Sequence, residues 1–418
     1  MRYRNLSVVM STVFFVLVWA ITTPCQVKPK PIKIGLIYEL TGIYSGIGKD
    51  PESAARIAGE WINKSGGVKG HLVEFATADA ESNATKAALA AKKLIEVERV
   101  HILQGCSATG IALAVGPVCE ANGTSFISAC ASDVFENTLK PRWSFRTSWK
   151  GWDQIDLMLG MAKKIDPKNK TIAILYQGAA MGKYAYDMSV DYAPKRDLKI
   201  VAAEKYDPAG TDFGAQISKI LAANPDAVIV FCADMAGALA IKQMREMGMN
   251  KPIFVNGAIV VKAIREAFKE AFSIPPYVYV AGGKPDIWWQ LPKGSDDYKV
   301  TAPIASIYEK RFGEQYDTMH GLGTAGQLLT RDAFERALNE DPNLLDRDLQ
   351  TIRTAVRDKM EATTNLNIGY GVFTMTPKNH CGLIPGSNFA PFHYEKGKNV
   401  YDPKLAEIKV LPPPPVQE

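Results

Sequence analysis

Two short loops carry the residue types that could hold a small molecule. Gly105-Cys-Ser-Ala-Thr-Gly110 and Ala129-Cys-Ala-Ser132 are small and hydroxyl-bearing, and each follows an apolar run of strand character, at 100–104 and 124–128. The first loop opens into a helical stretch, 110–122. Unpaired backbone N–H groups and the positive end of a helix dipole suit a carboxylate or another small acceptor. Ser107 adds a hydroxyl, and its small neighbours let a ligand reach the backbone. The structural alternative is a plain helix cap, with Ser132 capping whatever follows the second loop.

Other apparent motifs carry less. Residues 42–49 resemble a phosphate loop, but the spacing is one residue too long and Asp50 stands where Ser or Thr is needed. Gly321-Leu-Gly-Thr-Ala-Gly326 spells a dinucleotide fingerprint without a strand leading into it. His71, His101, His320, His380 and His393 are dispersed, and no pair has the spacing of a zinc site. No glycine-flanked nucleophilic serine occurs, and no acid, base and nucleophile assemble. The reading is therefore not an enzyme, without cofactor or metal. Tyr44, Tyr176 and the tryptophans at 149, 152, 288 and 289 could cover a planar ligand, although core or rim packing is the commoner use of such residues.

The elements that would position the two loops alternate in type. A strand at 34–38 runs into the glycine-rich stretch 41–48. A helix, a Gly66-Gly67-Val-Lys-Gly70 turn, a strand ending at Asp79, a helix capped by Asn83 and a third strand follow. Asp50 is the expected cap of the first helix, with Pro51 in its first turn. A second set has strands at 171–176, 200–206, 227–231 and 252–255, and a long helical stretch is expected over 306–338. Such alternation implies a parallel sheet covered by helices on both faces, with ligands at the carboxyl ends of the strands.

At 418 residues the chain suits two lobes rather than one domain. Apolar residues make up 47% and charged residues 22%, an ordinary globular balance. Arg2 and Arg4 followed by an apolar stretch at 8–21 read as a cleaved secretion signal, 1–24, too short to span a bilayer. Without those two arginines the formal charge falls from +5 to +3, too slight to argue for nucleic acid. Cys25 offers a lipid-anchor alternative that Pro24 fits badly. The remaining cysteines, Cys106, Cys119, Cys130, Cys232 and Cys381, are odd in number, and a Cys106–Cys130 disulfide is geometrically conceivable. Residues 409–418 read as a disordered tail.

The opening strand–loop–helix string, the 105–110 and 129–132 loops, Asp207-Pro-Ala-Gly-Thr-Asp-Phe213 and Gln243-Met-Arg-Glu-Met-Gly248 together resemble the extracytoplasmic solute-binding proteins of branched-chain amino acid (leucine/isoleucine/valine) ABC transporters. The resemblance covers roughly 32–402. It implies an α/β fold of two doubly wound parallel-sheet lobes joined by three crossovers, the type I periplasmic binding protein fold. Lobe 1 would hold 32–146 and 281–372, and lobe 2 would hold 147–280 and 373–408. It implies a periplasmic, monomeric receptor that closes on a small molecule and docks on permease subunits with associated ATPases.

The same resemblance gives Ser107, the Cys130 backbone and the Ser132 side chain as ligand-binding positions; the loop neighbours Cys106, Ala108 and Thr109 join them, and Tyr44 and Tyr176 are favoured among the aromatic residues because they sit in or just before cleft-facing loops. Departures matter as much. Ala258 stands where the family places an acid for the ligand's ammonium group, and Ile47 and Met181 replace two aromatic walls. An unpaired buried ammonium costs on the order of 3–5 kcal/mol. The expected ligand is therefore a small aromatic or aliphatic carboxylate or a neutral amide, unless Asp234 or Asp133 restores the charge. A branched-chain amino acid is the alternative ligand. An enzyme on a doubly wound fold and a ligand-sensing partner of a signalling protein are the rival functions.

Overall fold

The computed structural model describes residues 29–412 except 132, 136–141, 179 and 233. The expected signal segment, Cys25 and Ser132 therefore lie outside the described residues. Among the described residues no helix is long and apolar enough to cross a membrane.

Two parallel sheets are built on one plan. The first contains β1 (Ile32–Tyr38), β2 (Val73–Asp79), β3 (Ile102–Gly105), β4 (Ser125–Ser128) and β5 (Ser144–Arg146) in the order β2-β1-β3-β4-β5. The second contains β6 (Thr171–Gln177), β7 (Lys199–Tyr206), β8 (Ala227–Phe231), β9 (Ile253–Asn256) and β10 (Val278–Ala281). Its order, β7-β6-β8-β9-β10, repeats the first. An antiparallel hairpin, β13 (Phe392–Glu395) and β14 (Lys398–Tyr401), extends it beyond β10. A separate pair, β11 (Leu366–Asn367) and β12 (Val372–Phe373), forms a two-stranded ribbon. The central strands are apolar and buried along their length, as strands covered on both faces must be.

Around the first sheet lie α1 (Ser45–Lys64), α2 (Ala84–Glu96), α3 (Thr109–Ala121), α9 (Asp296–Phe312), α10 (Thr318–Glu340) and α11 (Leu349–Glu361). The second carries α4 (Gly151–Ile165), α5 (Ala180–Tyr192), α6 (Gly214–Ala222), α7 (Met235–Glu246) and α8 (Lys262–Phe272). The helix expected over 306–338 is two helices: Gly313 ends α9 at φ 66°, the left-handed conformation glycine accepts readily, and Asp317 caps α10. α1 begins at Ser45, ahead of the expected start, so Asp50 is not its cap and Pro51 lies inside it.

The 321–326 glycines have a packing role. A side chain at Gly323 would place its Cβ 1.9 Å from the Pro51 carbonyl oxygen, and one at Gly326 would meet the Gln104 amide at 2.5 Å. They let α10 press onto α1 and β3, which explains the pattern without a dinucleotide.

The chain passes between the lobes after β5, after β10 and late in the sequence. The expectation that 373 onward belongs to lobe 2 is corrected. The His380 ring stacks on Phe145 at 4.2 Å, its Nδ1 meets the Ser144 carbonyl at 3.1 Å, and the Arg146 N–H donates to the His380 carbonyl at 3.1 Å. This segment therefore packs on β5, and the chain joins the second sheet only at Phe392. The last passage runs beside the second one, through Lys284 N–H to Asn388 O at 3.0 Å and Ala390 N–H to Gly282 O at 2.9 Å. Residues 409–412 are not a loose tail. Arg196 and Asp156 form a bidentate pair that also holds the Lys409 carbonyl and the Leu411 N–H, and Tyr192 donates to the Pro412 carbonyl at 2.7 Å.

Candidate functional site

Each sheet has a point where strand order reverses, between β1 and β3 and between β6 and β8, and loops there open outward at the carboxyl ends. At the first, Gly105 has φ 153°, and a side chain on it would sit 1.7 Å from the Ile37 carbonyl oxygen. The close approach brings the 105–109 loop directly beside the end of β1. There the sequence reading missed a residue. Glu39, fully buried, accepts the Ser107 and Ala108 N–H groups with its two carboxylate oxygens, each at 3.1 Å.

The amides expected to receive a ligand carboxylate are thus already held by the protein's own carboxylate. Burial pushes the Glu39 carboxyl above its ordinary range, against the two backbone hydrogen bonds. The Ser107 hydroxyl is buried and without a hydrogen-bond partner among the described residues. The signal in the sequence was a single charge at the end of an apolar strand, Ile34-Gly-Leu-Ile-Tyr-Glu39.

Of the other first-lobe positions, Ala108 is buried and Thr109 opens α3. Cys106 is a buried free thiol, so the conceivable bridge to Cys130 is not formed; all five described cysteines are buried. Ile47 is half-buried against the core. Tyr44 is exposed on the lobe edge, its N–H donating to Ser82 Oγ at 3.1 Å.

The second reversal point mirrors the first. A side chain at Gly182 would place its Cβ 1.9 Å from the Gln177 carbonyl oxygen, which sets Met181 in the first turn of α5 against the end of β6. Tyr176 is half-buried and stacks on Tyr186 at 5.0 Å. Asp234 caps α7 through the Gly237 N–H at 2.7 Å, accepts the Tyr206 hydroxyl at 3.1 Å and pairs with the Gln177 amide. Its oxygens are engaged within the lobe. Asp133 is engaged too: Arg146 donates to it at 2.6 Å and the Tyr184 hydroxyl at 2.9 Å. Because Arg146 ends β5 and Tyr184 lies on α5, that contact ties one lobe to the other.

A third acid does have capacity. Asp153 stands in the first turn of α4, immediately after the first passage between lobes, and is fully buried. Neither of its carboxylate oxygens has a well-formed hydrogen bond among the described residues, the Gln154 N–H being only a weak one. Burial, and then Asp133, raise its pKa well above the ordinary carboxylate range, with Arg146 and Lys150 opposing.

The next residue, Gln154, donates its amide to the Ala281 carbonyl at 3.1 Å. It also lines the turn Gly257–Val260 that holds Ala258: a Cβ on Gly257 would lie 3.1 Å from the Gln154 amide nitrogen. The turn that holds Ala258 thus touches Gln154, the residue after Asp153. The Gln154 Oε1, the Asn388 Oδ1 and the Tyr370 hydroxyl also lack good hydrogen bonds among the described residues, and Asn388 and Asp153 both neighbour Tyr370. Three of these four groups can accept a hydrogen bond, and Asp153, with its pKa raised, can also donate one. No group of three or more metal-binding side chains occurs among the described residues.

A family profile described as periplasmic binding protein matches residues 31–385. Among curated proteins, Leu/Ile/Val-binding protein homolog 3 of Brucella melitensis is 28% identical over 218 residues, 52% of this chain and 59% of that protein. Homolog 7 of Brucella abortus is 26% identical over 235 residues, 54% of this chain and 58% of its own length. These matches thus span under two thirds of either relative. Among solved structures, an extracellular ligand-binding receptor from Rhodopseudomonas palustris HaA2 has a TM-score of 0.75 at 22% identity, covering 89% of this chain and 99% of that one. The Streptococcus pneumoniae branched-chain amino acid transporter substrate-binding protein LivJ, solved with isoleucine, has a TM-score of 0.71 at 18% identity, covering 89% and 100%.

Proposed function

The chain belongs to the periplasmic binding protein family, with the type I fold, and from that premise we propose an extracytoplasmic receptor that delivers a small solute to an ABC importer. The solute lies between the lobes and presents a hydrogen-bond donor, an ammonium or amide group, to Asp153. The Ser107 hydroxyl meets it from the first lobe. The observation that carries this reading is the fully buried Asp153 carboxyl, which has no well-formed hydrogen bond to either oxygen among the described residues. Amino acids therefore return as candidate ligands alongside amides, as the names of the curated relatives also suggest. A simple carboxylate is disfavoured because Glu39 holds the Ser107 and Ala108 amides.

Mechanistically, the guest draws the second lobe in by contacts it makes only when both lobes surround it. A cationic guest would also ionise Asp153, releasing a proton into solvent as the pair forms.

The test is a thermal-shift screen of the purified mature protein against amino acids, amides, amines and benzoate-type acids. A ligand at about 100 times its dissociation constant adds roughly 2.7 kcal/mol. Amines, amino acids or amides should shift the melt, and Asp153→Asn should weaken them by about a hundredfold, about 2.7 kcal/mol, from loss of a buried charge partner. Exclusive response to benzoate-type acids, or full affinity in the Asn variant, would sink the reading.

A further inference from the structure

A second recess lies far from the cleft, at the opposite, amino-terminal edge of the first sheet. Its volume is about 290 Å³, near the small end of the roughly 300–1,000 Å³ common for ligand sites. Pro31, Leu345, Leu349 and Ile352 form an apolar floor; Leu345 and Ile352 are buried. Lys30, Lys33, Arg99 and Arg347 surround it, and no acidic side chain lines it.

Two of those cations are already partnered, Lys30 with Asp346 at 2.9 Å and Arg347 with Asp341 at 3.0 Å. Lys33 and Arg99 have no ion pair among the described residues. His101 completes the lining. Its Nδ1 accepts the Lys33 N–H at 3.1 Å, and burial together with Arg353 and Lys33 brings its pKa down to about 4. The ring is therefore neutral near pH 7, and Nε2 carries the proton as a further donor.

We propose that this recess is a second binding site, for a small amphiphilic anion: a carboxylate on a short apolar body. The anionic end pairs with Lys33 and Arg99, and the hydrocarbon covers Leu345, Leu349 and Ile352. Either end alone forfeits half of the complementarity, so neither a bare anion nor a neutral alcohol satisfies the site. Because exposed cations bind through a screened field, affinity falls as salt rises.

The experiment is calorimetric titration of the mature protein with sodium hexanoate, hexanol and inorganic phosphate. Hexanoate binds, and hexanol and phosphate bind at least about tenfold more weakly, a difference of ~1.4 kcal/mol each. The double variant Lys33→Gln/Arg99→Gln loses hexanoate by a similar factor while its melting temperature stays unchanged, since both side chains are exposed. Leu349→Trp, which keeps every charge and fills the floor, loses it as well. Absence of hexanoate binding, equal binding of hexanol, or binding that survives the charge variant would each overturn the proposal.

Discussion

Glu39 shows how one side chain can redirect the chemistry of a loop. Its carboxylate accepts from two amides at the start of α3. Glu39→Ala should destabilise by about 1–3 kcal/mol, the cost of leaving buried donors unpaired, measured as a fall in the urea midpoint. Glu39→Gln retains an acceptor and should lose less.

The pH dependence has a definite sign. Burial raises the Glu39 pKa on folding, so its contribution is fully present below the unfolded value near 4.5 and is lost as pH rises through the folded one. Asp286 behaves alike over a wider window. Buried between the Gly283 N–H, the Thr318 N–H and the Thr318 hydroxyl, it is pushed from 3.8 up to about 7 by burial and by Asp317. Its contribution is complete below 3.8 and gone once pH passes about 7. The urea midpoint should therefore fall less over that window in Asp286→Asn than in the parent. An unchanged slope would show that the carboxyl titrates as it does in the unfolded chain.

At the level of elements, alternation and glycine placement made most of the scaffold readable. The strands at 171–176 and 227–231 were legible because continuous apolar runs between helical stretches have few other uses. The break between α9 and α10 was not, since the apolar pattern continues through Gly313 and only the left-handed turn reveals it. Segment 374–384 also escaped, because its attachment to β5 rests on one imidazole, stacked and hydrogen-bonded, and one backbone hydrogen bond, which leave no periodic trace. In the site, Ser107 was legible from its loop. Glu39 and Asp153 were not, because a buried acid is recognised by what surrounds it rather than by its neighbours in the chain.

The start of α10 offers a test at this scale. Asp317 accepts the Met319 and His320 N–H groups and meets the His320 Nδ1 at 2.7 Å. Asp317→Ala should cost about 1–2 kcal/mol as a lost cap, read from thermal or urea unfolding. His320, raised by Asp317 against its burial, stabilises fully below 6.5 and loses that contribution as pH climbs past its folded value. The alanine variant should therefore melt with less dependence on pH above neutrality.

For the molecule as a whole, two sheets share one strand order, and contacts between the lobes set how they meet. The Tyr184 hydroxyl on Asp133 is one that exists only while the lobes are together. Tyr184→Phe removes a bond to a carboxylate of about 1.5–3 kcal/mol. Ligand affinity should fall by tenfold or more, since about 1.4 kcal/mol is a factor of ten, while the urea midpoint changes little. Unaltered affinity would mean that this bridge does not bias closure.

The sealed thiols have a practical corollary. Cys106, Cys119, Cys130, Cys232 and Cys381 are all interior, so maleimide dyes should leave the native protein untouched at those positions. With Cys25 replaced, a cysteine installed at Ile43, 85% exposed on the rim loop after β1, would be the sole conjugation handle. An environment-sensitive fluorophore there would turn the protein into an optical reporter of the proposed ligand.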